Sequence, residues 1–264
     1  MTPPTHIEII SNAGGVSFPD DWYHMSRVDH FWFEWRFLAS LTQALDLRLS
    51  TDEPLSVLEI GCGSGVLREQ FESATRWRID GTDLCLAALQ AAKPGRGRTL
   101  FYNVLEEREG FIGAYDVVIL FDVLEHIDDT KRFLSSALRH LKPGGHLLVN
   151  VPALNALRSP YDDAAGHLRR YDRASLIGEF AATDLQVRDV RYWGLALLPL
   201  LFARRIWLGG KTPDGDTIRK GFEPPGRVSH SILRLLRRVE TSLWSRPFVG
   251  ASLLLAGTRG RRIP

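Results

Sequence analysis

The stretch VLEIGCGSG, residues 57–65, sets Gly61, Gly63 and Gly65 at alternate positions directly behind an apolar run. An apolar run closed by glycines reads as a buried strand ending in a tight turn, and the residues after it, SGVLREQFESA (64–74), have helical spacing. A glycine turn between a first strand and a first helix, at the carboxyl edge of a parallel sheet, is the usual crevice for a nucleotide-containing ligand. Outward from this turn the alternation repeats. Strand WRIDGTDL (77–84) precedes helix CLAALQAAK (85–93), and strands RTLFYNVLE (98–106) and YDVVILFDVL (115–124) follow. Helix DDTKRFLSSALRHL (128–141), begun by Asp128 or Asp129 and stopped by KPGG (142–145), leads to strand HLLVNVP (146–152). The alternation predicts an α/β fold, doubly wound and Rossmann-like, with helices on both faces of a parallel sheet.

Upstream, DHFWFEWRFLASLTQAL (29–45) places Phe31, Trp35, Leu38 and Leu45 near helical spacing, with Asp29 available as a cap. Downstream of Pro152, residues 153–172 read as a loop, followed by a helix over about 173–182 and two late strands, 185–193 and 248–259. More than fifty residues separate those strands, too many for a plain hairpin, so 195–247 reads as an inserted helical cap or lid. The expectation is one domain over 1–264: a helical segment at 1–50, a core sheet from 51–194 and 248–264, and the cap.

A chain of 264 residues with 44% hydrophobic content can bury a full core. Its 33 basic and 31 acidic residues leave a formal charge of +2, which gives no case for a nucleic-acid partner. Cys62 and Cys85 have neither metal-ligand spacing nor the makings of a disulfide framework, which points to a reducing cytoplasm. The opening MTPPTHIEII lacks the features of a signal peptide, and the longest apolar run, 192–203, holds Gly and Pro and falls short of the roughly 20 residues of a spanning helix. A soluble, cytoplasmic protein is expected.

Two ligands compete for the glycine turn. A nicotinamide dinucleotide site wants G-x-G-x-x-G, with the pyrophosphate on a helix N-terminus. Here the spacing is G-x-G-x-G, position 66 is valine, and Glu59 stands two residues before the first glycine, a poor neighbour for a diphosphate. A ligand with a cationic end suits Glu59, and S-adenosylmethionine, with its sulfonium, ammonium and carboxylate and no phosphate, has that chemistry. Asp83, about 20 residues on, can accept hydrogen bonds from ribose hydroxyls of either cofactor.

On these motifs, residues 57–152 resemble a class I S-adenosylmethionine-dependent methyltransferase of the branch that includes the ubiquinone-biosynthesis O-methyltransferases. VLEIGCGSG is similar to the family's first motif, GTDL (81–84) to its ribose acid, YDVVILFDVLEHIDD (115–129) to its fourth strand and loop, and HLKPGGHLLVNVP (140–152) to its fifth-strand motif. The resemblance implies a seven-stranded sheet whose last strand is antiparallel. For the cofactor it implies Glu59, Gly61, Cys62 and Gly63 at the turn, Asp83 and Leu84 at the ribose, and Asn103 and Val104 beside the adenine. It adds Phe121, Asp122 and His126 after the fourth strand. Relatives often carry aspartate where this chain has Asn103. HFWFEWR (30–36) resembles a helix whose arginine reaches the methionine carboxylate, which makes Arg36 the candidate, or else a surface residue beside an aromatic row.

Methyl transfer to a nucleophile is chiefly a matter of alignment, worth effective molarities of about 10⁵–10⁸ M, while a general base adds about 10²–10⁴-fold. The candidate base is His167 in DDAAGHLRRYD (162–172). Beside it, Arg169 and Arg170 are candidates to clamp an anionic or hydroxyl-rich acceptor and Tyr171 to stack or donate; alternatively Arg170 and Tyr171 cap the following helix and brace the loop. GH-x-RRY resembles a segment of bacterial methyltransferases that accompany sugar, lipid or natural-product pathways. His30 and Trp32 read either as a lid over the acceptor or as packing. Glu125 and His126 have no third ligand nearby in sequence, so no metal is assigned.

In the insertion, residues 204–246 carry ten basic against four acidic residues, and ILRLLRRVETSLW has an apolar face through Ile232, Leu235, Leu236, Val239 and Leu243. Such a face either docks on its own domain or rests on an anionic membrane and guides a lipid-linked substrate. No Asn-Pro-Pro-aromatic turn follows the fourth strand, where the chain reads FDVL, which argues against nucleic-acid bases. The functional expectation is transfer of a methyl group to a hydroxyl of a small-molecule acceptor. An amine or amino sugar, a nicotinamide-dependent oxidoreductase and a binding-only relative are the alternatives.

Overall fold

The computed structural model describes residues 6–12, 14–15, 28, 30–208, 226–243 and 246–260. Its strands are β1 (Ile7–Ile9), β2 (Ser56–Ile60), β3 (Arg78–Asp83), β4 (Thr99–Phe101), β5 (Tyr115–Phe121), β6 (Leu141–Pro152), β7 (Leu185–Trp193) and β8 (Ser252–Arg259). Its helices are α1 (Phe31–Asp46), α2 (Val66–Ala74), α3 (Leu86–Ala91), α4 (Thr130–Arg139), α5 (Pro160–Ala164), α6 (Arg173–Glu179), α7 (Leu198–Leu208) and α8 (Gly226–Leu243).

One sheet runs in the order β1-β4-β3-β2-β5-β6-β8-β7. β8 lies antiparallel between β6 and β7, and the other described pairings are parallel. The sheet has eight strands rather than the expected seven because Ile7, Glu8 and Ile9 pair with Thr99, Leu100 and Phe101 and cover an edge that β4 would otherwise leave open. Along β5, Val118 and Leu120 enter one core and Val117, Ile119 and Phe121 the other. A strand buried on both faces loses its period-2 alternation, which is why these segments read as continuous apolar runs.

α1 is capped by His30, whose ring Nδ1 accepts the Trp32 N–H at 3.3 Å; the expected cap, Asp29, lies outside the described residues. KPGG stops α4 as expected, but it bulges within β6 between the Tyr115–Leu141 and Val117–His146 pairs. The expected loop 153–172 contains α5, opened by a capping box in which Asp162 accepts the Ser159 N–H at 2.9 Å. α6 ends at Glu179, short of the expected 182.

Between β7 and β8 the chain forms α7 and α8, with 209–225 outside the described residues. α8 packs against α1: Leu233 joins the core of Phe31 and Trp35, Arg237 pairs with Glu34, and the Glu240 carboxylate accepts the N–H groups of Gly194 (2.6 Å) and Ala196 (3.0 Å). Leu243 ends α8, and its side chain lies outside the described residues.

Candidate active site

β2 ends at Ile60 and the backbone turns left-handed at Gly61, where a Cβ would meet Val123 Cγ2 at 2.5 Å. Gly63, also left-handed, donates its N–H to Asp83 Oδ2 at 2.8 Å, and Cys85 N–H donates to Oδ1 at 2.8 Å. Two backbone donors thus fix Asp83 at the end of β3. Burial raises its carboxyl above the ordinary range, and these hydrogen bonds offset part of the rise.

The turn opens on a cavity of about 590 Å³ at the carboxyl ends of the parallel strands. Glu59, Gly61, Cys62, Gly63, Asp83 and Leu84 line it, with Asn103 and Val104 adjoining. Asn103 Oδ1 is engaged by the Leu105 N–H at 3.1 Å, where it caps a short 3₁₀ turn. Glu59 is buried, and among the described residues its Oε2 has no hydrogen-bond partner. Burial pushes its carboxyl up to about 7 even though the Arg68 and Arg36 guanidiniums pull it down. An orphaned carboxylate oxygen on a cavity wall calls for a cation or an N–H donor, which the ammonium of S-adenosylmethionine would supply and a diphosphate would not.

Arg36 and Asp122, both expected at the cofactor, line the same cavity and form an ion pair. The guanidinium lies over the rings of Phe33 (5.0 Å) and Phe121 (5.6 Å). Asp122 is left-handed with φ of 57°, and Asn150 Nδ2, itself bonded through Oδ1 to Trp193 Nε1, donates to it at 2.5 Å.

At the other end, Asp162 is fully buried and accepts from His167 Nδ1 at 2.9 Å and from Arg170 Nε at 2.7 Å. Burial opposes its ionisation, but the bonds from His167 and Arg170 prevail and hold its carboxyl well below the carboxylate range. An ionised carboxylate only accepts, so the His167 proton resides on Nδ1 and Nε2 is left as the acceptor. The His126 ring stands 5.0 Å away, edge to face, and its Nδ1 donates to the Gly166 carbonyl at 3.2 Å. Burial first, then the neighbouring His167, lowers His126 to about 4 and keeps it neutral. Glu125 is buried with neither carboxylate oxygen bonded among the described residues, and burial followed by Asp122 pushes its carboxyl far above the usual range. The third donor that sequence spacing withheld from Glu125 and His126 arrives from across the fold: they and His167 bring ligand atoms within 4.8 Å of one another.

Three expectations for the acceptor side do not hold. Tyr171 does not line the cavity; it is buried in the core beside β6, with its hydroxyl 3.4 Å from the Leu124 carbonyl. Arg169 reaches the Asp128 carbonyl (3.4 Å) and Glu179 (3.9 Å), away from the cavity. His30 caps α1 and packs on Phe31 and Phe33 instead of closing the site. Arg170 does line the cavity, but Asp162 and the Ala153 carbonyl (2.8 Å) occupy its guanidinium, which braces the loop. Trp32 lines the cavity and leans on Trp193 at 4.8 Å.

Asp162 escaped the sequence reading although Ser159-Pro-x-Asp162 is a capping-box signature. Tyr161 and the α7 wall of Leu200, Leu201 and Arg204 also escaped it; the Arg204 guanidinium sits 4.2 Å over the Tyr161 ring. No local signal joins residues 161 and 204, which meet only through tertiary packing.

A doubly wound sheet with a glycine turn after the first core strand and carboxylates at the ends of two adjacent strands defines a Rossmann-like protein, its cavity lying where folds of this class take nucleoside-bearing ligands. The chain belongs to the methyltransferase domain family, whose profile it matches over residues 31–190. It is 33% identical over 105 residues to the ubiquinone biosynthesis O-methyltransferase of Cronobacter sakazakii, covering 38% of this chain and 43% of that one. The corresponding Vibrio parahaemolyticus protein is 36% identical over 100 residues, covering 36% and 43%. The chain thus spans less than half the length of these relatives. Among solved structures, Haemonchus contortus phosphoethanolamine N-methyltransferase 2 in complex with S-adenosyl-L-methionine superposes with a TM-score of 0.53 at 17% identity, over 83% of this chain and 52% of that chain. An Archaeoglobus fulgidus SAM-dependent methyltransferase gives 0.51 at 14% identity, over 87% and 99%. These likenesses are of fold.

Proposed function

We propose that this chain is an S-adenosylmethionine-dependent methyltransferase acting on a hydroxyl of a small, largely apolar acceptor. The observation that carries this reading is the buried Glu59 carboxylate, with an unbonded oxygen on the wall of the cavity that Asp83 and the glycine turn also line. When bound, S-adenosylmethionine supplies a methyl carbon activated by positive sulfur. Glu59 receives the ammonium, Asp83 the ribose hydroxyls, Arg36 the carboxylate, and Asn103 with Val104 flanks the adenine. Among the described residues of the insertion, α7 acts as a cap over the acceptor end, a reading supported by Leu200, Leu201 and Arg204 on the cavity wall.

His167 Nε2 takes the acceptor hydroxyl proton as the oxygen attacks, and Asp162 holds the ring through Nδ1. Neutral His126 adds no competing charge. His167→Ala should lower kcat by about 10²–10⁴-fold with donor affinity unchanged. Asp162→Asn should act on kcat through the tautomer of His167 and shift the acid limb of the pH–rate profile; unchanged turnover in both variants would remove the pair from the mechanism.

Titration calorimetry with S-adenosylmethionine and with a nicotinamide dinucleotide, followed by a screen of hydroxyl and amine acceptors for S-adenosylhomocysteine release, tests the reading. Saturable heat with the methyl donor and turnover with hydroxyl acceptors are expected. Saturable uptake of the dinucleotide alone would overturn it, and turnover confined to amines would move the chemistry to nitrogen.

A further inference from the structure

We propose that α7 and α8 form a docking surface for an anionic lipid bilayer. α8 carries two stripes. Leu233, Leu236 and Glu240 face inward, while Ile232, Leu235 and Val239, at i, i+3 and i+7, lie 53%, 61% and 43% exposed. Arg234 and Arg238 flank the outer stripe and are exposed. On α7, Phe202 and Ile206, one turn apart, are 41% and 80% exposed, beside exposed Arg205. Both helices pack on the turn Leu195–Leu197.

Charge decides the occupant. α7 contains no acidic residue, and the one acid of α8, Glu240, is buried on backbone N–H groups, so the described outer surface of both helices offers cations, apolar side chains and the neutral Thr241 hydroxyl, but no carboxylate. A protein partner or a second copy of this chain would have to bury several arginines against a matching acidic face. Lipid headgroups of negative charge meet the arginines while the acyl boundary takes the exposed Ile, Leu and Phe. No helix among the described residues is long and apolar enough to cross a membrane, so the contact is peripheral. α7 also supplies Leu200, Leu201 and Arg204 to the cavity wall, which sets the surface beside the cavity. The surface stands independently of methyl transfer.

Co-sedimentation with vesicles of phosphatidylcholine alone, and of phosphatidylcholine with phosphatidylglycerol, tests it, with donor binding read separately by calorimetry. Binding only to the anionic vesicles, falling as salt rises, is expected. Arg234→Gln with Arg238→Gln should weaken binding about 30-fold, at roughly five-fold for each cation near the surface. Ile206→Asp with Leu235→Asp should abolish it with donor affinity intact; should that variant fail to fold, the arginine pair, exposed and unlinked to the core, still decides. Equal binding to neutral vesicles, no binding at all, or indifference to the arginine replacements would overturn the proposal. So would a wild-type dimer that Leu235→Asp converts to a monomer.

Discussion

Glu59 is a liability in the unliganded protein. Its carboxyl, pushed up to about 7 by burial and only partly restrained by Arg68 and Arg36, is neutral below that value and a buried charge above it. An acid whose folded value is raised contributes stability below its unfolded value and loses it as pH rises through the folded one. Glu59→Gln, neutral at every pH, should therefore raise the melting temperature of the free protein at pH 8 and leave it nearly unchanged at pH 5. The same change should weaken S-adenosylmethionine binding by at least about tenfold, since a charge-assisted bond is worth about 1.5–3 kcal/mol. Wild-type affinity should climb with pH through about 7 as binding expels the proton, and the variant should show no such slope. A variant that binds as wild type and melts identically at both pH values would show that Glu59 faces no cation. Glu59 and Asp83 were legible in the sequence because each ends a strand beside the glycine turn. Asp162 carries a readable capping-box signal, but its bonds to His167 and Arg170 were not legible, because those partners lie five and eight residues away at no helical or strand spacing.

At the scale of elements, legibility followed burial. β2, β5 and β6 stand out as apolar runs because both of their faces are covered, whereas β1 and α5, three and five residues long, leave too little pattern to detect. The apolar face of α8 was visible, yet its division was not: Leu236 turns inward with Leu233 while Ile232, Leu235 and Val239 turn outward, a choice made by the packing of α8 on α1. One carboxylate secures that packing. Glu240 accepts the N–H groups of Gly194 and Ala196, where the chain leaves β7 for α7, so a single side chain ties both inserted helices to the sheet. Glu240→Ala leaves the buried Gly194 N–H without an acceptor, at about 1–3 kcal/mol, and the partly buried Ala196 N–H at less. The urea midpoint should fall accordingly, and the amides of α8 should exchange before those of β5 and β6. An unchanged midpoint would mean that the inserted helices are held by apolar contacts alone.

For the whole molecule, the order β4-β3-β2-β5 reverses its direction of winding at β2, and the cavity opens at that switch point. The alternation of strands and helices foretold this crevice, and the glycine turn located its donor end. The acceptor end was not legible, because its wall joins Trp32, Tyr161 and Arg204, which no spacing rule connects. A donor seated in the cavity would touch the ends of β2, β3 and β5 together with α1, elements whose separation is global unfolding. Binding should therefore stabilise the fold as a unit. With S-adenosylhomocysteine at about 100 times its Kd, linkage gives about 2.7 kcal/mol. At roughly 2–4 °C for each kcal/mol in a domain of this size, the melting temperature should rise about 5–10 °C in one cooperative transition. A nicotinamide dinucleotide at the same concentration should leave the curve unmoved. If the donor product instead shifts only an early, partial transition, α1 and the inserted helices close over the ligand without engaging the sheet, and the strand-end carboxylates are not what holds it.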